Sequence, residues 1–227
     1  MTFLQDPEFG DRIITLMAAL VLVLQIAAVG QRWLVSSIRI FAVQSFLLAA
    51  IAGIIAYFNH ANHIYIAALL TLILKAGLLP WFLERLVKRI EIRREIEPLI
   101  NTPLSILIAG CLTLVGYVVA QSFYHPEETS VRALGHNTLA VAIALFLIGF
   151  FTMLNRRKAL TQVLGLLSLE NGLFLAAISL TYGMPLVVEL GIFFDVLVAV
   201  MVLGILLTRI REAFDSMDVS KLRKLRE

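Results

Sequence analysis

Apolar residues run almost without interruption through seven stretches of this chain, and polar residues gather between them. The stretches lie at about 13–30, 38–58, 64–85, 103–123, 134–154, 162–182 and 186–208. Each is near the roughly 20 residues that a helix needs to cross a hydrocarbon core of about 30 Å. A membrane barrel would need short strands alternating between apolar and polar positions, whereas these runs are continuously apolar. The pattern predicts an all-α integral membrane protein with seven transmembrane helices.

Composition agrees: of 227 residues, 60% are hydrophobic and only 15% charged, against roughly 25% charged in soluble domains. The basic balance, +3 at neutral pH, does not point to nucleic acid, because the charges sit in loops between apolar runs. Their distribution orients the chain. With Arg32 and Arg39 in the cytoplasm, alternation puts Arg85, Lys88, Arg89, Arg93, Arg94, Arg156, Arg157 and Lys158 there too, together with the six basic residues of the tail. The other side keeps Arg12 and Arg132, and Lys75 lies within a helix. Such asymmetry predicts the N-terminus outside and the C-terminus cytoplasmic, in a multi-pass membrane protein. The acidic "QDPEFGD" before the first run is unlike a secretory signal, so that run is read as a retained helix.

Between helices three and four, Glu84–Lys88 and Arg93–Glu97 stand at i,i+4, so helix three is expected to continue as a charge-laced helix until Pro98 stops it. The polar exterior stretch 124–133 divides the chain into a four-helix part, 1–128, and a three-helix part with a cytoplasmic tail, 129–227. The tail mixes basic residues with Glu212, Asp215, Asp218 and Glu227, which suits a headgroup surface or a partner protein. His60 and His63 flank a turn without an acidic or cysteine companion, and Cys111 is the single cysteine, so neither a metal centre nor a disulfide is expected.

Three ionisable residues fall near the midplane: Lys75 in helix three, Glu170 in helix six and Asp195 in helix seven. At 1.5 Å per residue each is on the order of 15 Å from either end of its span, too far for a lysine stem of about 6 Å to reach the surface. A charge at the bilayer centre costs roughly 2.5–3.5 kcal/mol, so these groups should face the bundle, a partner or internal water. Desolvation penalises their charged forms, which makes them candidates for taking up and releasing protons. The plainer alternative is a set of buried ion pairs or hydrogen bonds that pin helix packing. Glu189, near the exterior end of helix seven, reaches the headgroups and needs no such account.

Local sequence sharpens this. Gly165, Ser168, Gly172 and Ala176 form one small-residue stripe on helix six, which lets a neighbour approach closely. Glu170 lies about 150° from that stripe, so the helix should pack on one neighbour and offer its carboxylate to another. On helix seven, Gly191, Asp195 and Ala199 share one face. In helix three, Pro80 has no N–H for the carbonyl of Ala76, so the helix should be loosened beside Lys75, with Gly77 adding to the effect.

From about Leu134 to the end the chain resembles the small K subunit of respiratory complex I, through the "LSLENG" acid, the acid midway along the last span and the charged tail with "DVSKL". That resemblance implies that Glu170 and Asp195 take part in proton translocation, with the departure that the K subunit typically has glutamate where Asp195 stands. Over most of its length the chain is similar to the membrane E subunit of hydrogenase-4, in "LKAGLLPWF" (74–82), "SLENG" (168–172) and "VVELGIFFDVLVAVMV" (187–202). This implies a non-catalytic subunit without a cofactor of its own. Its implied partners are antiporter-like and quinone-module-like membrane subunits and a soluble nickel–iron hydrogenase arm. Lys75 is a candidate third charge station. Two alternatives stand beside this reading. One is a structural bridge without ion transfer. The other is the C subunit of a cation/proton antiporter, which is shorter and lacks the four leading helices.

Overall fold

The structure, a computed structural model, describes residues 7–58, 62–89, 98–123, 136–181 and 204. The described residues are helical throughout, apart from short connections and one isolated bridge between Pro98 and Arg156. The helices are α1 (Pro7–Gly30), α2 (Leu34–Phe58), α3 (Asn62–Leu70), α4 (Leu79–Arg89), α5 (Thr102–Gln121), α6 (His136–Leu154) and α7 (Ala159–Thr181). A π-helical segment, Thr71–Leu78, joins α3 to α4, so the expected third span is one rod with a changed pitch in its middle. Among the described residues, five helices are long and apolar enough to cross a membrane: Phe9–Gly30, Leu34–Phe58, Ile64–Lys88, Thr102–Gln121 and Leu160–Ser179. Thr138–Leu154 is a shorter apolar helix. The seventh expected span and the tail lie outside the described residues, Gly204 excepted.

Helix α1 begins earlier than its apolar run, because "PEFGD" is polar yet fits a helical first turn. Pro7 stands at the first helical position, where a missing N–H is harmless. The basic ends of the helices meet. Leu99 N–H donates to Asn155 O at 2.9 Å, and Ile100 N–H donates to the Asn155 side-chain oxygen at the same distance. Arg39 Nε donates to Glu84 Oε1 at 3.2 Å. Glu84 therefore pairs across to α2. The α1–α2 turn, the end of α4, the start of α5 and the α6–α7 connection thus share one end of the bundle.

Arg156, in the connection between α6 and α7, is buried. It is 4% exposed, and its Nη2 donates to Val29 O at 2.9 Å. Val29 is in the last turn of α1, whose carbonyls have no amide donors within the helix and carry the negative end of its dipole. Burial pulls the Arg156 guanidinium down from its ordinary range, though arginine stays charged in proteins.

Helix α7 is the centre of the fold. Two-thirds (67%) of its apolar window is buried, against 22% for α5, which turns outward. It touches α6 along the glycine stripe. A Cβ on Gly165 would fall 2.5 Å from Met153 N, and one on Gly172 would fall 2.5 Å from Phe146 N. Gly149 of α6 approaches the Leu169 backbone as closely from the other side. Contacts of this kind require the absence of side chains, the usual device for close helix approach in lipid.

Candidate functional site: a polar layer at mid-depth

Three helices carry the same order of residues, apolar, polar, apolar, and the polar positions lie level. One apolar cluster joins Leu34, Ile38 and Phe41 of α2 to Leu83 of α4 and Leu164 and Leu167 of α7. Another joins Leu48, Ile51 and Ile55 of α2 to Ile64 of α3 and Leu175 and Ile178 of α7. Between them lie Ser45, Thr71, Lys75, Glu170 and Asn171, all buried. The site is a thin polar layer between two apolar ones.

Lys75 and Glu170 meet there. Lys75 Nζ stands 3.5 Å from Glu170 Oε1, and the residues are 2% and 1% exposed. The ammonium also lies 5.5 Å from the centre of the Phe174 ring, within cation–π range. Phe174 is one turn beyond Glu170, so a single face of α7 supplies both a charge and a ring face to the same amine. The Glu170 face is turned away from the glycine stripe, and α7 uses its two sides for different neighbours: α6 for packing, α2 and the π segment for the polar layer.

The π segment aims the lysine. Leu79 N–H donates to Leu74 O, five residues back, in place of the α-helical partner four back. In that register the N–H that Pro80 lacks falls opposite the carbonyl of Lys75 instead of Ala76. The loosening expected from Pro80 is therefore present, displaced by one residue onto the lysine itself.

Neutral polar residues extend the layer, and sequence reasoning passed over them. Asn171 Nδ2 is 3.4 Å from Ser45 Oγ, while Asn171 Oδ1 and Thr71 Oγ1 are buried without a hydrogen-bond partner among the described residues. On the other flank of α2, Gln44 Nε2 donates to Gln25 Oε1 at 2.9 Å and to Val21 O at 3.2 Å. The available signal was an amide inside an apolar run, as costly to bury unpaired as it is easy to overlook beside a charge. Asp195 and Glu189 lie outside the described residues.

Similarity to known proteins follows the same division of the chain. The family described as NADH-ubiquinone/plastoquinone oxidoreductase chain 4L matches residues 137–227, which begin at α6 and include Glu170. The uncharacterized protein Rv0085 of Mycobacterium tuberculosis is 38% identical over 200 residues, 88% of this chain and 89% of its own length. Hydrogenase-4 component E of Escherichia coli strain K12 is 26% identical over 217 residues, 96% of this chain and 99% of that one. This chain belongs to one family with Rv0085 and is a near-full-length homologue of hydrogenase-4 component E. No solved structure matches it. It combines a chain 4L-like C-terminal part with preceding helices, and its apolar helices are those of a multi-pass membrane protein. The ion pair crosses the two parts: Glu170 stands in the segment that matches chain 4L, and Lys75 stands in the helices before it.

Proposed function

We propose that this protein is a membrane subunit of a hydrogenase-4-type, complex I-related assembly in a prokaryotic inner membrane, and that Lys75 and Glu170 form a proton-transfer station coupled to redox chemistry in partner subunits. The observation that carries the reading is the buried pair at 3.5 Å. Ionisable residues inside the membrane are expensive and mark ion and proton pathways by default. When Glu170 accepts a proton it loses its hold on the ammonium. When it releases the proton the pair re-forms. The pair thus has two states of different charge, which is what a relay needs. A soft π segment beneath the lysine gives the amine room to follow.

Asp195 is proposed as the next acid along the path, on the resemblance of residues 187–202 to the same family. The topology proposed is seven spans, outside to cytoplasm, built as a four-helix part, 1–128, and a chain 4L-like part, 129–227. In support, Arg32, Arg39, Arg85, Lys88 and Arg156 belong to helix ends that meet at one end of the bundle, as the excess of basic residues on the cytoplasmic side requires. The partners proposed are antiporter-like and quinone-module-like membrane subunits and a nickel–iron hydrogenase arm, in line with the name of the Escherichia coli relative. Electron transfer is assigned to those partners.

Glu170→Gln tests the reading. It keeps the shape and removes the exchangeable charge. In the assembled complex reconstituted into vesicles, hydrogenase turnover should continue while coupled proton uptake falls to background. Normal proton uptake would remove Glu170 from the path. Loss of assembly with normal coupling in the remaining complex would favour a structural bridge.

A further inference from the structure

The polar layer has a flank that the ion pair does not use. A cavity of about 20 Å³ lies where α1, α2, α6 and α7 meet at the basic end of the bundle, lined among others by Gln25, Ser37, Gln44, Arg156, Thr161 and Ser168. A water needs roughly 10–15 Å³ of such volume and two to four polar partners. The cavity meets both conditions, whereas a hydrated metal cation is too large for it. We propose that this cavity is the water-filled inlet by which protons reach the Lys75–Glu170 pair from the basic end of the bundle, an inference that rests on the proton-transfer reading above.

The lining side chains form a path with a direction. Arg156 and Thr161 stand beside the α6–α7 connection, and Gln44 and Ser168 lie ten and nine residues inside α2 and α7, roughly 15 Å deep at 1.5 Å per residue. The next polar groups inward are Ser45 and Asn171, bonded to each other and each adjacent in sequence to a member of the cavity or the pair: Ser45 follows Gln44, and Asn171 follows Glu170. Asn171 is one turn beyond Ser168 on nearly the same face. Among the described residues its Oδ1 is a buried acceptor without a partner, the position at which a water arriving from the cavity finds a site. Gln25 and Gln44 are each 1% exposed, and amides at that depth are costly in lipid unless they serve packing or water.

Proton movement along such a path balances simply. Water at the basic end takes up a proton, each water passes one on and accepts one, and the Glu170 carboxylate receives the last. No oxidant or reductant is involved. Arg156 does not close the mouth electrostatically, because its guanidinium is already tied to the α1 C-terminal carbonyl of Val29.

The experiment reads hydration, not pumping. In the full-length protein in lipid bilayers, water-edited solid-state NMR should transfer magnetisation from water to the Gln44, Ser168 and Asn171 side chains and leave Leu167 dark. The double variant Gln25→Leu, Gln44→Leu removes both amides together, so neither is left orphaned. It should abolish the transfer to Asn171 while the Arg156 signal keeps its water contact. An Asn171 that is as dry as Leu167 in the unaltered protein overturns the inlet, and so does an Asn171 that stays wet in the double variant. These outcomes do not depend on coupling: if Glu170→Gln pumps normally, the relay fails, whatever the hydration result.

Discussion

Replacing Lys75 by Met is expected to lower the stability of the protein by about 3–5 kcal/mol, and adding Glu170→Leu to it is expected to restore most of that loss. Removing one partner leaves an uncompensated charge among buried groups, whereas removing both leaves a layer without charge, in which Ser45, Thr71 and Asn171 are the polar side chains between the apolar clusters. Thermal unfolding of the four proteins in the same detergent gives the cycle. The same four, assembled with their partners, separate two accounts of the pair. If the charges only pin packing, the double variant should recover coupling together with stability. If they carry protons, it should recover stability and stay uncoupled. That combination of a stable complex and absent proton uptake has no explanation in packing alone.

The second large effect is expected at the α6–α7 contact. Gly172→Ala places a methyl 2.5 Å from Phe146 N and 2.9 Å from Ala142 O, and Gly165→Ala places one 2.5 Å from Met153 N. These are backbone atoms, so no side chain can turn aside, and the helices must separate. Overpacking of this kind costs typically 1–3 kcal/mol, at times more. Because α7 carries Glu170 on its opposite side, moving it also shifts the carboxylate against Lys75, and both variants should lose coupling along with stability. Gly53→Ala and Gly110→Ala are the controls, since nothing lies within 4 Å of the added methyl. They should be neutral or slightly stabilising, given alanine's better helix propensity by about 1 kcal/mol. Melting temperatures of the four variants measured side by side decide it. Equal behaviour at all four positions would mean that the stripe is not the contact described.

The helices and the glycine stripe were legible in the sequence because each has a one-dimensional signature: length and hydropathy for the spans, small residues at i,i+4 and i,i+7 for the stripe. Lys75 and Glu170 were legible as awkward residues, and Pro80 as a weak point beside one of them. Their meeting was not. In a soluble helix the polar face says which side looks inward, but in lipid both sides are apolar, so the pattern on helix three does not encode that Lys75 points at α7. Gln25, Gln44 and Asn171 are not legible in the sequence, because neutral amides stand out only when their partners on other helices are known. The burial of Arg156 is hidden in the sequence for a related reason. A basic residue in a short connection looks solvated until the carbonyl end of another helix, 127 positions away in sequence, is found against it.

The account stands on one event, a change in the charge of Glu170 as the assembled complex works. Redox-triggered infrared difference spectroscopy of that complex in lipid reads it directly. A carboxyl band should appear and disappear in step with turnover, shift in heavy water, and be absent from Glu170→Gln with hydrogenase activity intact. A difference spectrum without a carboxyl band, or one that Glu170→Gln leaves unchanged, would contradict the account.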